Sequence, residues 1–183
     1  MSHAEPDEEI AVRVISGDGE SFGLLVERYE AKITRYARKF LFDIEDSKDL
    51  VQEVFIKAYV NIRSFDPSRK FSPWIYRIAH NEFINAGKKR SRMPVFSFDF
   101  DLLFPHPAAS ETADAETNRR DMRELLDRSL GTLSPKYREP LVLYYFEEMD
   151  YREIADILQI PVATVGVRLR RGREMLQKMI KTY

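Results

Sequence analysis

With 183 residues, 44% of them hydrophobic, and a formal net charge of -1, the chain is long enough for one ordinary domain or two small ones of soluble composition. It has no cysteine, which excludes disulfides, thiolate metal sites and cysteine nucleophiles. No apolar run approaches the ~18 residues that a membrane span requires.

His3, His80 and His106 are far apart and lack ligand spacing, so neither a metal nor another cofactor is expected. The first ten residues are acidic where a secretory signal would be basic and then apolar, which points to a cytoplasmic protein. The near-zero net charge hides a segregation. From Val165 onward Arg168, Arg170, Arg171, Arg173, Lys178 and Lys181 face only Glu174, whereas residues 93–118 hold no lysine or arginine but contain Asp99, Asp101, Glu111, Asp114 and Glu116.

Taken in chain order, Glu8 to Ser16 can form a short helix closed by the turn residues Gly17-Asp18-Gly19. Phe22, Leu25, Val26, Tyr29, Ile33, Tyr36, Ala37 and Phe40 then recur every three or four residues and predict a helix from about Glu20 to Phe42. A third helix starts near Asp46 or Ser47 and turns Val51, Val54, Phe55, Ala58 and Ile62 inward. Asp49, Gln52, Glu53, Ile56 and Val60 then share the opposite side, and apolar residues beside carboxylates there hint at an interface.

Residues 65–71, Phe-Asp-Pro-Ser-Arg-Lys-Phe, form a loop of turn formers, cations and aromatics. Ser72-Pro73 supplies an N-cap and a first-turn proline for a helix reaching about Ala86. Its Trp74, Ile75, Ile78 and Phe83 are apolar contacts. Arg77, Asn81, Asn85 and Lys88 or Lys89 align at roughly four-residue spacing on another side. The asparagines offer donors and acceptors suited to base edges, and Phe65, Phe71, Trp74 and Tyr76 offer ring faces, although each aromatic taken singly fits a core position better.

Met93 to about Asn118 reads as a linker with Pro94, Pro105 and Pro107, but Phe96, Phe98, Phe100, Leu102, Leu103 and Phe104 are too apolar for an uncovered tether. Helix resumes near Thr117 to Leu130. Ser134-Pro135 then repeats the cap-and-proline pattern and opens a helix to about Phe146, whose Leu141, Val142, Tyr145 and Phe146 can pack on the C-terminal segment.

Asp150 and Glu153 have capping-box spacing ahead of Ile154, Ala155 and Leu158. Gln159-Ile160-Pro161 breaks that helix, and a second one runs from Pro161 or Val162 to about Lys181. Its stripe of Val162, Val165, Leu169 and Leu176 faces inward. Thr164, Arg168, Arg170, Arg171 and Lys178 face outward, giving a helix-turn-helix whose second helix is charged to meet phosphates, with Thr164, Val167 and Arg168 placed for base edges. The expected fold is all-α: two small helical domains, 1–92 and 117–183, joined by an extended acidic and aromatic linker over 93–116.

Four ordered stretches carry a family resemblance: residues 49–59 (DLVQEVFIKAY), 71–81 (FSPWIYRIAHN), 133–138 (LSPKYR) and the helix-turn-helix. In order and spacing they resemble bacterial extracytoplasmic-function sigma factors. The resemblance implies a subunit, with no enzymatic activity of its own, that brings core RNA polymerase to promoters and helps melt the DNA. By it, Asp49, Gln52, Glu53, Ile56 and Lys57 would bind core polymerase. Arg69, Lys70, Phe71, Trp74, Arg77, Asn81, Asn85 and Lys88 would meet the minus-ten element, partly as single strands. Thr164, Val167, Arg168, Arg170 and Arg171 would grip the minus-thirty-five duplex, and the linker would thread through the polymerase cleft. An anti-sigma factor is an expected partner.

The chain departs from the family pattern at three places. Gln159 stands where glycine is frequent, at a position that tends to need a left-handed backbone costing a non-glycine residue roughly 1 kcal/mol. Gly166-Val167 replaces a frequent lysine-serine pair, and His80 stands where arginine is common. The competing reading is a polymerase-independent helix-turn-helix regulator whose N-terminal half senses a ligand or dimerises; it gives the Asp49 to Tyr59 surface no role. An enzyme acting on nucleic acid lacks any carboxylate or histidine cluster at catalytic spacing.

Overall fold

A computed structural model describes residues 5–41, 47–89 and 129–181. Among these residues every regular element is helical: α1 (Asp7–Ile15), α2 (Phe22–Leu41), α3 (Ser47–Asn61), α4 (Phe71–Lys89), α5 (Pro135–Tyr145), α6 (Tyr151–Leu158) and α7 (Val162–Lys181), with short 3-10 turns at Gly19–Ser21 and Ile62–Ser64. The linker with Phe96 to Phe104, and most of the helix expected from Thr117, lie outside the described residues.

The helices form where the three- and four-residue apolar spacing places them. Leu25, Tyr29, Ile33, Tyr36, Ala37 and Phe40 of α2 are buried against Val51, Val54, Phe55 and Ala58 of α3 and Ile75, Ala79 and Phe83 of α4. α1 opens with Asp7, Glu8 and Glu9, which suit the positive end of its dipole. Asp7 then accepts hydrogen bonds from Arg28 at 2.5 Å and from the Tyr29 hydroxyl at 2.6 Å, fixing α1 across α2. Desolvation, together with that bond to Asp7, holds the Tyr29 phenol well above its ordinary pKa.

In the C-terminal half, α5, α6 and α7 close around Leu141, Val142, Ile154, Ile157, Val165 and Leu169. α5 and α7 approach so closely at Gly172 that a Cβ there would sit 2.8 Å from Leu141 Cδ1 and 3.3 Å from the Tyr137 carbonyl oxygen. Ser134 precedes α5 as expected, and Pro135 opens it, but the Ser134 hydroxyl makes no capping bond and is buried without a partner. Two expected apolar contacts are corrected: Tyr145 is half exposed and Val162 points to solvent, because each lies beyond the stripe that α5 and α7 bury against each other.

The two halves do not stand apart. α2 packs on α5 and α4 on α6, and one apolar cluster runs through both.

Candidate functional site

Three surfaces collect the residues that the sequence singles out. On α3, the apolar stripe faces the core, so Asp49, Gln52, Ile56, Tyr59 and Val60 are left exposed, Ile56 by 57% and Val60 by 72%. The expected polymerase-binding residues, Asp49, then Gln52 and Glu53, then Ile56 and Lys57, recur at three- and four-residue intervals and therefore lie together. Lys57 is also tied to its neighbour: its Nζ donates to Glu82 of α4 at 2.6 Å and lies 3.6 Å from Glu53. The Glu82 bond keeps its ammonium above the ordinary lysine pKa. Ile56 also borders a groove between α2 and α3 that Val26, Ala31, Arg38 and Lys48 help to line.

The second surface belongs to α4 and the loop before it. Asp66 accepts both the backbone N–H of Ser68 at 3.0 Å and its hydroxyl at 2.8 Å, which shapes the turn and lowers the Asp66 pKa. α4 begins at Phe71 rather than after a Ser72 cap. Glu8 of α1 supplies the cap from 63 residues away, its Oε1 accepting the Phe71 N–H at 2.8 Å. Pro73 then sits in the first turn, where its missing N–H is not needed, and the helix continues through Gly87 to Lys89, beyond the expected Ala86.

Asn81 and Asn85 are exposed, and Arg77 and Trp74 are half-buried at the surface. Phe71, placed in the expected nucleic-acid surface, is corrected. Its ring is fully buried, edge-on to Tyr29 at 5.5 Å and to Phe65 at 5.4 Å, because it anchors the start of α4 in the core. Phe65 and Tyr76 are buried as well, so Trp74 is the member of the aromatic group left with an accessible face. The Lys88 side chain lies outside the described residues.

The third surface is the helix-turn-helix. Asp150 caps α6, accepting the N–H of Arg152 at 2.8 Å and of Glu153 at 2.9 Å, while Glu153 reaches back to the Asp150 N–H at 2.9 Å. The backbone bonds that Asp150 accepts pull its pKa down. Gln159 adopts the left-handed conformation expected of its position, with φ 53°, and its side-chain amide donates to the Asp156 carbonyl at 2.7 Å. Pro161 then turns the chain into α7, whose buried Val165 and Leu169 leave Val167, Arg170 and Arg171 exposed and Thr164 and Arg168 partly so. Gly166 gives the Tyr151 ring room; a Cβ would meet it at an ordinary 3.5 Å.

Sequence patterns did not anticipate how the second and third surfaces meet. Arg69 Nη2 lies 2.6 Å from Asp156 of α6, and Lys70 Nζ 2.7 Å from Glu153. Between them lies a cleft of about 280 Å³ bordered by Trp74 and Arg77 on one wall and Arg152 and Asp150 on the other. Behind it, Glu147 takes Arg35 in a two-pronged pair at 2.7 Å and the Tyr76 hydroxyl at 2.5 Å. Glu139, 4% exposed, accepts the Tyr36 hydroxyl and sits 2.6 Å from His80 Nδ1.

Arg138 donates to four carbonyl oxygens: Phe40 at 2.7 Å across the domain boundary, and Leu130, Gly131 and Leu133 at 2.7 to 3.0 Å. Burial lowers its pKa. The partners that Glu147 and Glu139 take across the boundary lie 59 to 112 positions away, beyond the reach of periodicity. Among the described residues no three histidine, aspartate or glutamate side chains could hold a metal ion, and no helix is long and apolar enough to cross a membrane.

Known proteins share both the sequence and the fold. Sigma-70 region 2 matches residues 25–93, and sigma-70 region 4 matches residues 123–176. The chain is 35% identical to the ECF RNA polymerase sigma factor SigW of Bacillus subtilis, over 92% of this chain and 94% of that protein. It is 32% identical to the ECF RNA polymerase sigma-E factor of Escherichia coli K12, over 99% and 97%. Its fold is similar to that of CnrH bound to the cytosolic domain of CnrY, with a TM-score of 0.73 and 26% identity over 97% of this chain and 99% of the other.

Proposed function

This chain belongs to the extracytoplasmic-function sigma factors of RNA polymerase, and from that premise we propose how its surfaces divide the work of transcription initiation. As a sigma factor it joins core polymerase, directs it to promoters and takes part in opening the DNA. Domains 1–92 and 117–183 are assigned the minus-ten and minus-thirty-five elements, with 93–116 between them.

The observation that carries the reading is the α3 face. Ile56 and Val60 are exposed beside Asp49 and Gln52 although the other side of the helix is a complete core stripe. An exposed apolar strip ringed by polar groups is a protein-docking surface, and in a sigma factor core polymerase is the partner that fits it. Asp49, Gln52, Glu53, Ile56 and Lys57 bind core polymerase there, and an anti-sigma factor would act by covering the same face.

Trp74 stacks on unpaired bases, worth ~1 to 3 kcal/mol per base. Arg77, Asn81 and Asn85 address base edges and backbone, and Arg69, Lys70 and Lys88 address phosphates. Phe71 supports this surface from beneath. Thr164, Val167 and Arg168 face the major groove of the minus-thirty-five duplex while Arg170 and Arg171 neutralise phosphates, so binding weakens steeply with salt. The site of action is the cytoplasm, with the polymerase.

Reconstitution with core polymerase over a genomic promoter library tests the reading. Initiation at a defined set of promoters is expected, and uniform failure with every template contradicts it.

A further inference from the structure

If α7 grips the minus-thirty-five duplex, as proposed above, the start of that helix brings an apolar surface to the groove. Pro161, Val162, Ala163 and Val167 are exposed, Val162 by 44% and Val167 by 43%. At about 100° per residue, Val162, Gly166, Ala163 and Val167 fall in that order around roughly 140° of the helix. The arc starts at the edge of the buried stripe of Val165 and Leu169 and runs round to the solvent side. Along it no side chain offers a hydrogen bond until Arg170, which lies 4.0 Å from Glu174. Thr164, Arg168 and Arg171 follow beyond Val167.

Packing does not demand glycine at position 166. A Cβ there would meet the Tyr151 ring at an ordinary 3.5 Å, so the missing side chain leaves room for the helix to approach the floor of a groove. Val162 and Val167 are five positions apart, about 7.5 Å along the helix. That is about two base steps of ~3.4 Å, so the alkyl pad is long enough to cover neighbouring base pairs.

Such a pad discriminates among bases. In the major groove guanine presents two acceptors, adenine an acceptor and a donor, and cytosine a donor; thymine alone adds a methyl group beside its acceptor. Valine and alanine side chains cannot satisfy the polar groups, and pressing on them strips their water without replacing it. Against a thymine methyl the same contact removes apolar surface from water on both sides. The cations Arg168, Arg170 and Arg171 on the same helix suit phosphates, so DNA rather than protein is the partner that fits.

We propose that Val162, Ala163 and Val167 are specificity-determining residues that recognise thymine C5 methyl groups, so that the minus-thirty-five element of this chain carries thymines at neighbouring base pairs. The arginines supply affinity and the alkyl pad supplies sequence.

The test uses holoenzyme assembled from the full chain and core polymerase. Duplexes randomised across the minus-thirty-five region of a promoter that the wild-type chain uses are selected for holoenzyme binding. Enriched thymines are then replaced singly by deoxyuridine, which keeps every hydrogen-bonding group and lacks only the methyl. Each replacement under the pad is expected to weaken binding about fourfold, the worth of one buried methyl-sized group. Val162→Ala and Val167→Ala are each expected to abolish the penalty at one thymine and leave the others. Val12→Ala, at a valine 41% exposed on α1, is expected to leave every penalty in place.

A selected region with no enriched thymine would overturn the proposal. So would deoxyuridine penalties that persist in both α7 variants, since these mark duplex shape rather than methyl contact. Loss of assembly with core polymerase in either variant would overturn it in favour of protein docking. In each of these cases promoter-dependent initiation by the wild type leaves the sigma-factor reading standing, whereas absence of initiation from every template overturns both.

Discussion

Glu139 and Tyr36, 103 positions apart, share a buried hydrogen bond at the boundary between the two halves, and His80 Nδ1 approaches the same carboxylate oxygen. Desolvation, reinforced by the Glu139 charge, drives the Tyr36 phenol well above its ordinary pKa, so it remains a donor. Glu139→Ala strands both partners in a buried site and is expected to cost about 2 to 3 kcal/mol in urea unfolding. Tyr36→Phe, which removes one donor and keeps the ring packing, should cost about half as much. Equal, negligible losses would mean the boundary is wetter than the structure indicates.

Trp74 and Phe71 are three residues apart but take different roles. Phe71→Ala empties a fully buried site and is expected to lose about 3 to 5 kcal/mol of stability. Trp74→Ala should lose less stability and instead weaken retention of the opened strand by ~1 to 3 kcal/mol. Thermal melting alongside permanganate reactivity of promoter thymines separates the two.

Gly166 and Gly172 of α7 should respond with opposite signs. Gly166→Ala meets Tyr151 at ordinary contact distance and gains helix propensity, so up to ~1 kcal/mol of stabilisation is expected. Gly172→Ala pushes into Leu141 at 2.8 Å; the overpacking, about 1 to 3 kcal/mol, offsets the propensity gain and leaves a net loss. Adding Leu141→Ala should relieve the clash at the cost of core volume, so the pair of changes would be less than additive. Chemical denaturation of the single and double variants reads both signs.

The Asp150 cap predicts a pH dependence. Its folded-state pKa lies below the unfolded value because the carboxylate accepts backbone N–H bonds. The stabilisation is therefore fully present above the unfolded pKa, near ~4, and is lost as pH falls through the folded value. Protection of the α6 amides, taken relative to the intrinsic exchange rate at each pH, should fall below about pH 4 in the wild type. Asp150→Ser caps without titrating and should flatten that dependence.

How much was legible in the sequence depends on the range of the forces involved. The inward stripe of α3, the capping box at Asp150 and Glu153 and the left-handed turn at Gln159 are set by residues within a turn or two of one another, and each appears as expected. The start of α4 misled because its cap comes from Glu8 rather than Ser72, and the local cap-and-proline pattern could not reveal a carboxylate arriving from α1. Phe71 misled because an aromatic beside basic loop residues reads alike whether it faces in or out.

The closure of the two halves was illegible for a related reason. Arg35 with Glu147 and Arg138 with the Phe40 carbonyl have no periodic signature, and one of the acceptors is backbone. In sequence, the histidine at position 80 is only a departure from the family pattern; in the fold it has Glu139 as a partner.

The central claim is that polymerase docking and strand opening reside on different helices of the same half. Its most direct measurement pairs a core-binding titration with permanganate footprinting of a responsive promoter, for Glu53→Arg on α3 and for Asn81→Ala and Asn85→Ala on α4. Glu53→Arg is predicted to weaken core binding, with opening restored when core polymerase is supplied in excess. The asparagine variants are predicted to bind core polymerase like the wild type and to leave the minus-ten thymines unreactive. Parallel loss of both functions in all three variants would contradict the account.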